Sequence, residues 1–127
     1  MMFSLTGNMD INIALRNGVW IFPPESATGK TYLYKQLKLH YLNGEPVVGY
    51  SYNDKLFGVH LEHLVDYDRH KVLILDRYDL YSKDFTDIIK KFSLQGIVLI
   101  DCKVCPDIRA EYCEIKFTSD LIEVTEI

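Results

Sequence analysis

Prolines are scarce in this chain, four in 127 residues, and only seven glycines accompany them. That scarcity excludes a disordered or linker-rich polypeptide, and no internal repeat stands out, so residues 1–127 read as one domain. Cysteines are few as well: Cys102, Cys105 and Cys113. An odd count in a chain without an export signal excludes a disulfide framework and implies reduced thiols. Long apolar runs are missing, since no segment approaches the ~20 residues of a membrane span. The opening stretch MMFSLTGNMDINIALRNG lacks the basic start and apolar run of a secretory signal. A cytoplasmic protein without a membrane partner is expected. Positive charge is thin too, the net charge being −4. Basic and acidic residues balance through Pro106, and the acidic excess lies between Asp107 and Ile127. With lysines scattered singly or in pairs such as Lys90-Lys91, no basic stripe marks a nucleic-acid partner.

What is present is a hydrophobic fraction of 48%, enough for a real core. Val19-Trp20-Ile21-Phe22 is a short apolar run ending at Pro23-Pro24, as a buried parallel strand does. From Gly29 to about Leu42, Leu33, Leu37 and Tyr41 recur every four residues with Lys35 and Lys38 between them, which predicts an amphipathic helix stopped by Asn43-Gly44. Pro46 to Tyr50 reads as a second strand, and Lys55 to about Val65 as a second helix. Val72-Leu73-Ile74-Leu75 is a clear buried strand running into Asp76. Phe85 to Phe92 suits a helix, and Ile97 to Ile100 a strand ending at Asp101. The tail from Tyr112 to Val124 alternates around Thr118-Ser119-Asp120 like a hairpin. This order predicts an α/β three-layer sandwich with a mostly parallel five-stranded sheet and a possible C-terminal hairpin. In such sheets ligands sit at the carboxyl ends of the strands, where Pro23 to Thr31, Asp76 and Asp101 all fall.

The stretch Pro24-Glu25-Ser26-Ala27-Thr28-Gly29-Lys30-Thr31 carries the second half of the pattern G-x-x-x-x-G-K-[ST]. In that pattern backbone N–H groups curl round a phosphate chain, the lysine reaches the terminal phosphates and the hydroxyl helps to hold magnesium. Its place between a strand and a helix adds the partial positive charge of a helix N-terminus. Four apolar residues followed by Asp76 match the strand-end carboxylate that positions magnesium in such proteins.

On these two motifs the sequence resembles the P-loop nucleoside triphosphatases, as a minimal core of the AAA or RecA kind, with Pro24 to Thr31 as Walker A and Val72 to Asp76 as Walker B. The resemblance implies that the ligand is magnesium-ATP or another nucleoside triphosphate. It implies that Ser26, Ala27, Thr28, Gly29, Lys30, Thr31 and Tyr32 line the nucleotide, that Thr31 and Asp76 hold Mg2+, and that Asp101 stands on the neighbouring strand end near the terminal phosphate. Two departures stand out. Pro24 replaces the first glycine, which stiffens the exit from the strand without removing the later amides. Arg77 replaces the acidic residue that often follows Asp76, so Glu25, Asp79 or Asp101 would have to polarise a water, or hydrolysis would be slow. Asp76-Arg77-Tyr78 also resembles thymidylate kinases, although no arginine-rich lid lies between Arg77 and Arg109.

Three functional readings follow: an ATP-binding protein with slow hydrolysis, a nucleotide-gated module read by a protein partner or by a second copy, and a small nucleotide-kinase-like phosphotransferase. Plainer assignments exist for each feature. Thr28 and Gly29 can form a helix N-cap and Asp76 can simply end a strand. Cys102-Lys103-Val104-Cys105 with Cys113 suits packed thiols better than zinc, which needs four ligands. His60 and His63 suit a solvated face, and Tyr32 and Tyr34 suit core or boundary packing better than a place beside a base.

Overall fold

The computed structural model describes residues 3–7, 9–23, 29–81, 85–104 and 106–127. Among them lie eight strands: β1 (Phe3–Leu5), β2 (Asp10–Ala14), β3 (Gly18–Ile21), β4 (Val47–Tyr50), β5 (Val72–Leu75), β6 (Ile97–Ile100), β7 (Glu111–Phe117) and β8 (Leu121–Glu126). The helices are α1 (Lys30–Leu42), α2 (Tyr52–Leu56), α3 (Leu61–Leu64) and α4 (Thr86–Ser93). All the strands join one sheet in the order β1-β2-β8-β7-β3-β6-β5-β4.

This corrects the expected three-layer sandwich on a five-stranded sheet: the sheet is mixed, eight-stranded and curled into a half-barrel. The reason lies at the two chain ends. Phe3 to Ala14 forms an antiparallel pair, β1 and β2. The tail hairpin, β7 against β8, does not stand apart but inserts between that pair and β3, with β8 parallel to β2 and β7 parallel to β3. One apolar cluster then draws residues from every strand: Leu5, Ile11, Ile13, Trp20, Val47, Ile74, Leu99, Cys113, Ile122 and Val124 among them, gathered around Leu33 and Leu37 of α1. A sheet whose strands all feed one cluster under α1 curls toward it. Leu33 and Leu37 are fully buried, each contributing about 1.5–3 kcal/mol.

The expected second helix from Lys55 to Val65 is also corrected. It is two short pieces, α2 and α3, because Gly58 turns the chain at φ 74°. Ser51 starts α2 through a capping box with Asp54. The inner strands behave as their composition demands. Val72 to Leu75 and Ile97 to Ile100 are buried at every position, as parallel strands covered on both faces are. Their other face packs with Ile89 and Phe92 of α4, Leu61 of α3 and the 3₁₀ turn Tyr78–Leu80.

Candidate functional site at the strand ends

Parallel pairing sets the site. Tyr50 is in register with Leu75, Leu75 with Ile100, and Ile100 with Ile21. The ladder continues one residue further, since Asp76 N–H donates to Tyr50 O at 2.9 Å, Asp101 N–H to Leu75 O at 2.9 Å and Phe22 N–H to Ile100 O at 3.0 Å. Phe22, Asp101, Asp76 and Ser51 therefore stand in one row along the carboxyl edge of β3, β6, β5 and β4. Side chains alternate along a strand, so this row faces opposite to Ile21, Ile100, Leu75 and Tyr50, which pack on the α4 side. It faces α1.

The helix meets the row at its first residue. Gly29 makes the turn into α1 at φ 81°, and its carbonyl accepts the Leu33 N–H at 2.8 Å. Gly29 has no side chain to cap the N–H groups of Lys30, Thr31 and Tyr32, and the first turn has no acidic residue to neutralise them. Lys30 Nζ lies 3.0 Å from Asp101 Oδ1, an ion pair with side chains 13% and 8% exposed. The same ammonium reaches Pro23 O at 3.4 Å.

Asp76 is the strained member. Its Oδ1 is buried and, among the described residues, has no hydrogen-bond partner. Burial first, then the neighbouring Asp101 carboxyl, pushes its carboxyl up to about 6, against the pull of Arg77 and Lys30. An oxygen kept from water without a donor is what a hard cation or a proton would satisfy. Among the described residues no three His, Cys, Asp or Glu side chains gather closely enough to hold a metal by themselves.

Arg77, the residue after Asp76, adopts the left-handed conformation at φ 50°, unusual for a non-glycine residue. Its guanidinium grips Asp79 through Nε at 3.2 Å and Nη2 at 3.0 Å. Asp79 also accepts the Lys103 N–H at 3.1 Å. Burial would raise the Asp79 carboxyl, but the Arg77 and Lys103 bonds outweigh it and hold the group below its usual value. Its oxygens are engaged with the β6 turn rather than with Lys30.

Of the other residues named from sequence, Thr31 and Tyr32 are exposed on the first turn of α1. Ser26, Ala27 and Thr28, with Pro24 and Glu25, lie outside the described residues. The neighbouring Tyr34 and Lys38 reach Asp54, at 3.4 Å and 3.6 Å, and Lys38 Nζ donates to Gly49 O at 3.1 Å. The bare Gly49 leaves room for the Tyr34 ring, whose phenol is raised to about 12, mainly by burial.

Sequence reading missed Phe117. A Cβ placed on Gly29 would come within 2.0 Å of the edge of its ring, so Phe117 sits directly on the turn into α1. No local signal announces that contact, because only the insertion of β7 beside β3 creates it. From the sequence, Asp76 is the expected magnesium-positioning carboxylate and Asp101 the carboxylate on the neighbouring strand end. In the fold β6 lies between β3 and β5, and Asp101 is the carboxylate that Lys30 meets.

The remaining candidates lie elsewhere. Cys102 and Cys113 are buried, burial raising the Cys113 thiol to about 12, and Cys105 is outside the described residues. His60 and His63, at the start of and within α3, lie 5.2 Å apart between ring centroids with planes tilted by 56°, and His60 Nδ1 is 3.5 Å from Glu62. Among the described residues no helix is long and apolar enough to cross a membrane. No family model, curated protein or solved structure matches the chain.

Proposed function

We propose that the chain binds a magnesium-nucleoside triphosphate, ATP being the reference ligand, at the turn from Gly29 to Thr31 and the strand-end carboxylates Asp76 and Asp101. The observation that carries the reading is the juxtaposition of a largely buried Lys30–Asp101 pair at 3.0 Å with a buried oxygen of Asp76 that has no hydrogen-bond partner among the described residues. A purely structural cluster gains nothing from that orphaned oxygen. A site that exchanges it for a metal or its water does.

In this reading the N–H groups of Lys30, Thr31 and Tyr32 donate to phosphate oxygens, and Lys30 Nζ turns from Asp101 to the outer phosphates. Asp76, with the Thr31 hydroxyl, would hold Mg2+, which neutralises charge on the outer phosphates when bound. Asp101, released from Lys30, is the acidic group left to orient a water at the terminal phosphate. Asp79 is engaged by Arg77 and Lys103 and cannot take that task without breaking three hydrogen bonds. Turnover is accordingly slow.

That same grip favours a second reading, a nucleotide-gated interaction module. A left-handed Arg77 locked to Asp79 joins the turn after Asp76 to the turn after Asp101, so ligand at the row can bias a surface beyond it. A phosphate-release assay separates the two: turnover abolished by Asp101→Asn supports the hydrolase, and binding without turnover supports the module. The binding reading itself is tested with a fluorescent ATP analogue, with and without magnesium, on wild type and Lys30→Ala. Affinity unchanged by the substitution contradicts the assignment.

A further inference from the structure

This inference rests on the nucleotide reading and deepens it. Tyr32 and Phe117 come from distant parts of the chain, the first turn of α1 and the last residue of β7. Their ring centroids are 5.9 Å apart with planes tilted by 57°. Both remain open to water, 43% and 40% exposed. The rings pack on each other, and Phe117 on the Gly29 turn, yet each keeps surface open to water on which a further ring could lie.

Direction fixes what the pair would meet. The lysine and both carboxylates take the outer phosphates at the inner end of the site, over β6 and β5. The sugar and base must then leave past the solvent side of the helix N-terminus, which is the side of Tyr32. Phe117 borders the same exit, because its ring lies on the Gly29 turn. We infer that Tyr32 and Phe117 form the nucleobase subsite, holding the base by stacking on exposed aromatic faces. Such a platform reads π surface rather than a donor and acceptor pattern, so it favours purines over pyrimidines and scarcely separates adenine from guanine. Phe117 thereby couples the C-terminal hairpin to nucleotide occupancy.

Calorimetric titration of the full chain with magnesium and ATP, GTP, CTP or inorganic tripolyphosphate tests this, on wild type, Tyr32→Ala, Tyr32→Phe and Phe117→Leu. Leucine keeps bulk over Gly29 while removing the aromatic face. The expected result is ATP and GTP binding alike, and about tenfold more tightly than tripolyphosphate, with CTP between. Tyr32→Ala and Phe117→Leu should weaken ATP about tenfold and leave tripolyphosphate unmoved, while Tyr32→Phe retains affinity. Equal weakening of ATP and tripolyphosphate would reduce the pair to a support for the turn and overturn the inference. Unchanged ATP affinity, or tripolyphosphate binding wild type as tightly as ATP, overturns it too. If neither ligand binds wild type, the nucleotide reading itself fails, and the inference with it.

Discussion

Two adjacent layers of the same strands behave oppositely. Trp20, Leu99 and Ile74, in register across β3, β6 and β5, pack on α1 with 1% exposure or less. Two residues further along, on the same face, the row holds Asp101 and Asp76 with Lys30 between helix and sheet. The lower layer is satisfied by dispersion and burial. The upper one keeps a raised carboxyl, an orphaned oxygen and, next to it, a left-handed arginine. On the proposed reading, the layer left less satisfied is the one where a ligand would gain binding energy.

The contrast is sharpest in substitutions. Leu37→Ala, in the packed layer, should lose about 2–5 kcal/mol of stability through transfer and cavity terms, read by denaturant unfolding. An effect below about 1 kcal/mol would show that the sheet does not close on α1 as described. Asp76→Asn should do the reverse. The raised Asp76 carboxyl means that between its ordinary 3.8 and about 6 the folded chain holds a proton the unfolded chain has lost. Stability therefore falls as pH rises through that window, and the penalty is complete above it. Asn removes the penalty and should stabilise the ligand-free protein at pH 7.5 by about 1–2 kcal/mol after allowance for solvent screening, with no gain at acid pH.

Away from the site, His70 gives a smaller effect of opposite sign. Its Nδ1 accepts the Asp66 N–H at 2.9 Å, and burial, then Arg69, lowers the imidazole below its ordinary value, against a smaller pull from Asp66. Its contribution is full above about pH 6.5 and is lost as pH falls through the lowered value. A shallow acid destabilisation should therefore vanish in His70→Gln when melting is followed from pH 7.5 to 5. The smallest effect belongs to Arg16, an exposed residue paired with Glu111 and Glu126 and lying over the Trp20 ring. Arg16→Ala should leave Tm nearly unchanged, as surface pairs usually do. A large drop would mean that this corner, not the layer under α1, anchors the sheet.

The parts of the fold that could be read in sequence are those where one physical signal dominates. Val72 to Asp76 and Ile97 to Asp101 are unbroken apolar runs closed by a carboxylate, and Leu33 and Leu37 mark the buried face of α1. Gly29-Lys30-Thr31 at a strand-to-helix turn is equally local, and the tail hairpin was visible in its alternation. Strand order was not. Only long-range pairing puts β6 between β3 and β5 and inserts the hairpin beside β3, and the short, polar-interrupted Phe3 to Ala14 gave no run long enough to announce two strands. The curl followed from those extra strands, and with it the contact of Phe117 on Gly29. Tyr32 reads both as a nucleotide-lining residue and as packing, because sequence cannot tell an exposed helical aromatic from a buried one.

The central claim, that the strand-end row carries an ionised Asp76 at a cost in stability and recovers it through a magnesium-nucleotide, is tested most directly by melting wild type and Asp76→Asn at pH 7.5, with and without magnesium-ATP. The account predicts that the variant melts higher than wild type without ligand and gains less from it. A variant that melts lower without ligand, or that gains as much from magnesium-ATP as wild type does, would contradict it.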